Sequence, residues 1–370
     1  MRVIVVGAGV VGTMHAWQAV ERGHEVVQIE READARGASL RNFGQIWVSG
    51  RAAGAELETA LRARELWEAI GARVPALGFR ANGSLTPVRT EAELAVAEAA
   101  AAGPDAEARG FTLLTAAEAR ALNPALRGEF LAALRCERDA AVEPRTAQRA
   151  LREALAASGR HTFLPGREVR ELVGGSAVRD DHGELHRADA VVLCTGAWLG
   201  GLVRELAGEL PVRRVRLQMM QTAPLGEPLT TSIADADSFR YYPAYDATAL
   251  DAAQPQAPVA AAHRMQLLMV QRLDGGLTIG DTHEYEHPFA FDTLEDPYEH
   301  LAGVVESLLG RPLPPIRRRW AGVYAQCTDT RRVVHRQQVA EAAWLVTGPG
   351  GRGMTCSPAI AETTADRLGW

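Results

Sequence analysis

Residues 2–30, "RVIVVGAGVVGTMHAWQAVERGHEVVQIE", constrain the chain more than any other segment. Val3 to Val6 form a continuous β-branched run, the pattern of a strand buried on both faces. Gly7, Gly9 and Gly12 follow in G-x-G-x-x-G spacing. A helix comes next, with Val11, Ala16, Ala19 and Val20 available for packing, and Gly23 closes it. "HEVVQIE" is a second strand, ending on Glu30. Gly7 permits a tight turn, Gly9 lets backbone approach a pyrophosphate, and Gly12 lets helix and strand pack closely. The helix N-terminus adds unpaired N–H groups and a partial positive charge. The glycine pattern alone is a weak signal. Between a strand and a helix, with an acid closing the second strand, it predicts a dinucleotide site. Glu30 would accept hydrogen bonds from the adenosine ribose, and it disfavours a 2′-phosphate.

The chain has 370 residues, enough for two domains or for one with a large insertion. Its net charge of −6 leaves no basic excess to neutralise a nucleic-acid backbone. An anionic ligand would have to be held by local arginines. Cys136, Cys194, Cys327 and Cys356 are widely spaced, which fits reduced thiols and a cytoplasmic protein. The opening apolar run is too short for a signal peptide, and no apolar run reaches membrane-spanning length.

Residues 56–71 read as a helix, with Leu57, Leu61, Leu66 and Ile70 on one face. "GFRANGSLTPV" (78–88) reads as a hairpin turning at Asn82-Gly83. Helices are predicted near 91–102 and in "TAAEARALNP", and again in "EPRTAQRALREALAASG". "ADAVVLCTGAW" is a buried strand running into a Thr195-Gly196 turn. Residues 212–311 are strand-rich. "AAWLVTGPGGRGMTCSPAIAETTADRLG" is a strand, a glycine loop and a helix. The nucleotide-binding pattern therefore recurs at the start, middle and end of the chain. The fold class expected is α/β: a Rossmann-like domain from residues 1–76, 142–212 and 317–370. Interleaved with it is an α+β substrate domain from 77–141 and 213–316, built on a large mixed or antiparallel sheet.

"VVGAGVVG…E", "ADAVVLCTGAWLGGL" and "VTGPGGRGMTCSPAIAETTADRL" resemble the D-amino acid oxidase, glycine oxidase and sarcosine oxidase superfamily, whose members use FAD. "SLRNFGQIW" (39–47) also resembles a smaller subgroup that accompanies phosphonate breakdown in bacteria. The resemblance implies that the flavin ring lies at the junction of the two domains. It implies that Ser39, Arg41 and Asn42 donate to the pyrophosphate and ribityl chain, and that Gly44, Gln45 and Ile46 line the flavin. Arg41 could instead be a solvated surface arginine. Val169 would meet the adenine, and Gly348 to Thr355 the pyrimidine end of the flavin, including Gly351, Arg352, Gly353, Met354 and Thr355. Arg31, Thr195, Gly196 and Trp198 complete the implied cofactor set. The FAD is expected to be non-covalent, because in relatives that attach it the cysteine falls near Gly322.

"HEYEH" (283–287) matches the zinc-protease pattern H-E-x-x-H, but a strand precedes it and Pro288 follows. A helix is not expected there, nor a metal; one side chain could face the substrate. Members like glycine oxidase carry "G-[LV]-R-P-x-[ST]-x-D", whose arginine binds the substrate carboxylate. Here "AGVYAQCTDT" places Tyr324 at that position. The expected activity is oxidation of a small amine by hydride transfer to FAD, with oxygen or another acceptor downstream. The subgroup implies 2-aminoethylphosphonate or its N-methyl form, giving phosphonoacetaldehyde. Gln45, Tyr242, His263, Arg264, Tyr324 and Arg352 are the candidates for holding the substrate. Each tyrosine could equally be a core residue, and His263 and Arg264 surface residues of a strand "HRMQLLMV". A conventional glycine, sarcosine or D-amino acid oxidase, an NAD-dependent dehydrogenase and a silent FAD-binding subunit remain the competing readings.

Overall fold

The computed structural model describes residues 1–370. A six-stranded sheet runs in the order His335–Ala340, Ala343–Thr347, Ala190–Leu193, Arg2–Val6, Glu25–Glu30 and His161–Pro165. All its neighbours are parallel except the first pair. The apolar run Val3–Val5 is fully buried, as a strand covered on both faces requires. On one face Val3 and Val5 join Met14, Trp67, Leu151 and Met354 in a core shared with four helices: Val10–Glu21, Ala55–Arg73, Pro144–Ala157 and Gly353–Leu368. On the other, Ile4, Val27 and Leu193 pack against residues of a three-stranded sheet spanning 169–187.

The turn after the first strand is as tight as its glycines suggested. Gly7 has φ of 106°, and a Cβ there would lie 2.4 Å from the Cys194 carbonyl oxygen. A Cβ on Gly12 would come within 2.1 Å of the Gly7 carbonyl oxygen, so only glycine lets the helix start this close to the strand.

The second sheet has eight strands, in the order Ile316–Cys327, Val212–Pro224, Gly276–Gly280, Leu268–Gln271, Ser232–Ala234, Ser84–Val88, Ala132–Cys136 and Phe111–Thr115. Its neighbours are antiparallel except Ser232–Ala234 beside Ser84–Val88. The helix Asp296–Leu309 covers it through Tyr298, Leu301 and Val305. The architecture is a Rossmann-like α/β unit interleaved with an α+β unit on a large mixed sheet.

Two sequence expectations are corrected. Residues 317–327 do not belong with the first sheet, because Ile316–Cys327 pairs along nearly its whole length with Val212–Pro224. The hairpin over 78–88 is absent. Only Ser84–Val88 is a strand, and Arg80 instead makes an isolated bridge to Ala141. Gly83 does take a positive φ of 62°, but no turn forms at Asn82-Gly83, and the residues before it join a different neighbour.

Candidate active site

One cavity of about 1070 Å³ runs from the Gly7–Gly9 turn to the face of the second sheet. Its nucleotide end is built by the first helix. The first N–H groups of a helix have no partners within it. The Ser39 hydroxyl, 29 positions away, accepts from the Val10 N–H at 2.8 Å. The N–H groups of Val11 and Gly12 follow in the same first turn, and Val11 lines the cavity. A Cβ on Gly9 would stand 3.1 Å from Ser39 Oγ, closing this cradle. Glu30 is held at the cavity wall by N–H groups of Ala8 (2.8 Å) and Glu32 (3.1 Å). Arg31 lies 4.2 Å from the Trp198 ring centroid, and Val169, Thr195 and Gly196 line the same end.

At the sheet end, backbone segments are pinned by buried side chains. Trp67 Nε1 donates to the carbonyls of Met354 (3.0 Å) and Thr355 (3.1 Å), fixing the start of the last helix. Thr355 Oγ1 accepts from the Trp47 N–H at 2.8 Å. Asp139 accepts from the N–H groups of Val48 and Ser49 and from the hydroxyls of Ser49 and Ser84. Burial nonetheless raises its carboxyl above the ordinary range. Segment 45–49 is thereby held against Gly351, Gly353, Met354 and Thr355, which also line the cavity.

Five polar groups are buried here with no partner in the protein: Gln45 Nε2 and Oε1, Trp47 Nε1, Gln266 Oε1 and the Tyr324 hydroxyl. Such groups are costly unless a ligand pairs with them. All four residues line the cavity, and a Cβ on Gly351 would lie 3.7 Å from the Tyr324 hydroxyl. A flat heterocycle with alternating hydrogen-bond donors and acceptors answers this pattern, and a nucleotide answers the other end. The residues fit FAD.

Several residues expected at the cofactor are turned away from the cavity or engaged elsewhere. Gly44 does not line the cavity: a Cβ there would sit 2.2 Å from the Val142 carbonyl, so its φ of 74° serves strand packing. Ile46 is fully buried in the core. Gly12 packs against the turn and does not line the cavity. Asn42 reaches the wall, but its amide donates to the carbonyls of Ala38 (2.8 Å) and Ser39 (2.9 Å) and accepts from Gly44 N–H. It braces the loop, and its side chain has no donor left for a pyrophosphate. Arg41 keeps most of its guanidinium free, with one N–H on the Ala321 carbonyl at 3.1 Å.

His263 and Arg264 lie outside the cavity and outside any strand. Arg264 sits at φ of 48° on the surface, near Glu286. Arg352 lines the cavity but is bound to Glu56 at 2.9 Å and to three carbonyls, those of Pro349, Thr330 and Arg332. It is not free to hold a substrate anion. The "HEYEH" segment is not helical. His283 and Tyr285 line the cavity, and His283 Nδ1 lies 3.0 Å from the Arg264 carbonyl. Only an N–H can approach a carbonyl so, and burial lowers the ring's pKa to about 4, so His283 is neutral.

The sheet end of the cavity gathers more residues than the six candidates for holding the substrate. Tyr241 stacks on His283 at 4.3 Å and meets Tyr242 edge-on at 5.0 Å. Trp47 packs 5.8 Å from Tyr242. Asp281 and Gln266 complete the wall. The acid closing "GLTIGD" was the one available signal for Asp281. Arg213, 4.2 Å from the Tyr285 ring centroid, and Arg214 line the cavity without an acidic partner.

With this geometry in view, the chain belongs to the FAD dependent oxidoreductase family, whose model matches residues 2–367. It is therefore an FAD-dependent flavoprotein. Glycine oxidase from Pseudomonas aeruginosa is 26% identical, covering 99% of this chain and 94% of that protein. The tRNA 5-methylaminomethyl-2-thiouridine biosynthesis bifunctional protein MnmC of Maricaulis maris is 28% identical over 58% of this chain. The chain spans only 33%, 60% and 12% of the length of three curated relatives it matches. Among solved structures, glycine oxidase from Bacillus cereus superposes with a TM-score of 0.78 at 18% identity, covering all of this chain and 94% of that one. No helix of the chain is long and apolar enough to cross a membrane.

Proposed function

We propose that the protein oxidises the C–N bond of a small amine. The observation that carries this reading is the single cavity joining the helix cradle to a chamber walled by Tyr241, Tyr242 and Tyr324. Bound FAD would supply the two-electron acceptor for a hydride leaving the substrate's α-carbon. The chain's own work is to bind and to orient. The Val11 N–H and Ser39 present a cradle to the pyrophosphate, and Glu30 an acceptor to the ribose. Gln45, Trp47 and Tyr324 offer unpaired polar groups at the ring end. The tyrosine wall excludes water and fixes where the α-carbon can sit.

An aminophosphonate, 2-aminoethylphosphonate or its N-methyl form, is our proposed substrate, with phosphonoacetaldehyde as product. Two observations favour it over a simple α-amino acid. Tyr324 stands where a carboxylate-binding arginine would be expected, and Arg352 is engaged by Glu56. Arg213, whose Nε donates to Gln326 Oε1 at 2.9 Å, and Arg214 have no acidic partner and lie at the outer end of their strand, suited to an anion held farther from the reacting carbon. A conventional glycine, sarcosine or D-amino acid oxidase is the second reading, favoured by the full-length match to glycine oxidase.

The test is a panel of glycine, sarcosine, D-alanine, 2-aminoethylphosphonate and its N-methyl form, with flavin absorbance followed without oxygen. Faster bleaching by a phosphonate supports the first reading. Faster bleaching by sarcosine or D-alanine supports the second and removes the Tyr324 argument.

A further inference from the structure

The geometry points to Asp281 as the residue that receives the substrate's ammonium group and takes its proton before the α C–H bond breaks. This rests on the amine-oxidation reading above.

Asp281 is 5% exposed and lines the cavity. Its Oδ1 accepts from Gln266 Nε2 at 2.9 Å, and its own N–H donates to the Gln266 carbonyl at 3.0 Å. Its Oδ2 has no hydrogen-bond partner among its neighbours, and no arginine or histidine forms an ion pair with it. The side chains around it are Tyr241, Tyr242, Tyr324 and His283, all lining the same chamber. Burial raises all three tyrosine hydroxyls above their ordinary range, so none carries charge near neutrality. His283 is neutral too. Arg51, 5.9 Å from the Tyr242 ring centroid, is the cation behind this wall, and it is engaged by Glu56 and the Trp47 carbonyl.

A buried carboxylate with no cation is unfavourable, and burial accordingly holds the Asp281 carboxyl well above the carboxylate range. A substrate ammonium supplies the missing cation. The same surroundings make the carboxylate a stronger base than an exposed one. The proton step is R–CH2–NH3+ plus carboxylate giving R–CH2–NH2 plus carboxylic acid. The α C–H bond then breaks with its electron pair leaving as hydride to the oxidised flavin. The nitrogen lone pair closes the C=N bond, giving R–CH=NH2+, and the proton remains on Asp281. Placing the amine here directs an anionic tail toward Arg213 and Arg214.

The competent complex thus carries one proton shared between amine and carboxyl. Anaerobic flavin reduction of the holoenzyme, expressed as rate constant over dissociation constant, should trace a bell against pH. It falls at low pH where both groups are protonated and at high pH where neither is. Asp281→Asn can use only neutral amine, so its profile should rise through the amine's pKa to a plateau, with no falling limb. Asp281→Glu, which keeps the carboxyl, should retain the bell. A second readout needs no turnover. tert-Butylamine has no α C–H bond, and near neutral pH its binding, read from the flavin spectrum, should weaken about tenfold or more in Asp281→Asn, as for a lost charge-assisted hydrogen bond. If wild type is reduced by amines and Asp281→Asn keeps both its bell and its tert-butylamine affinity, the assignment is overturned. If no amine reduces the wild type, the amine-oxidation reading fails and the assignment with it.

Discussion

The guanidinium of Arg352 and the carboxylate of Glu56 lie 2.9 Å apart, and their side chains are 8% and 6% exposed. The pair joins the glycine loop before the last helix to the start of the helix Ala55–Arg73. Removing Arg352 leaves Glu56 with Arg51 at 3.7 Å as its remaining cation and strips three buried carbonyls of their donor. Arg352→Ala should lower stability by about 3–5 kcal/mol in denaturant unfolding. Arg352→Lys should not recover it, since one ammonium cannot reach Glu56 and three carbonyls together. A loss under about 1 kcal/mol would assign the arginine some other role, because that is the size of a surface pair.

Glu30 should matter for the cofactor more than for the fold. Its carboxylate bonds the N–H groups of Ala8 and Glu32 while facing the cavity. Glu30→Ala should weaken FAD binding by ~1.5–3 kcal/mol, the worth of a charged hydrogen bond. The dissociation constant from fluorescence titration of the apoprotein measures this directly.

Tyr324 separates a core role from a ligand role. Its hydroxyl is buried without a partner, which costs the ligand-free protein stability. Tyr324→Phe should therefore leave thermal stability of the apoprotein equal or higher. It should also weaken substrate or flavin binding by about 1 kcal/mol. A tyrosine serving only the core would leave both bindings unchanged.

His15 is fully buried, its Nδ1 is 2.7 Å from the Val11 carbonyl, and burial lowers its pKa to about 4. The unfolded chain therefore binds a proton near 6.5 that the folded chain refuses until about 4. The stability His15 preserves by staying neutral is complete above 6.5 and is lost as pH falls toward 4. Other buried groups titrate in this window, so the comparison is with His15→Gln. The stability advantage of wild type over that variant should shrink by up to about 3 kcal/mol over the window, at about 1.4 kcal/mol per pH unit. A constant difference would mean the imidazole does not resist protonation.

Backbone features were the legible part of the sequence. Gly7 and Gly12 could be read because their reasons are steric and local, set by contacts with Cys194 and with each other. Side-chain direction was harder. Ser39, Arg41, Asn42 and Gln45 line the cavity, yet the family pattern does not reveal that Asn42 braces its own loop or that Ile46 points into the core. Arg352 is near the chamber in space, but its partner Glu56 is 296 positions away and no local pattern announces it. His263 and Arg264 were misplaced because "HRMQLLMV" looks continuous, whereas the strand begins at Leu268 after a turn. Tyr241, Gln266 and Asp281 come together from different segments of the second sheet and its loops, a convergence that only the tertiary structure displays.

The central claim is that this cavity joins FAD to an oxidisable amine. The most direct measurement is the visible spectrum of the purified holoprotein during anaerobic titration with 2-aminoethylphosphonate, its N-methyl form, glycine, sarcosine and D-alanine. The expected result is a yellow protein whose flavin band bleaches with at least one of these amines, most readily with a phosphonate, and recovers when an electron acceptor is added. A yellow protein that none of them bleaches, or a colourless one that binds NAD instead, would contradict it.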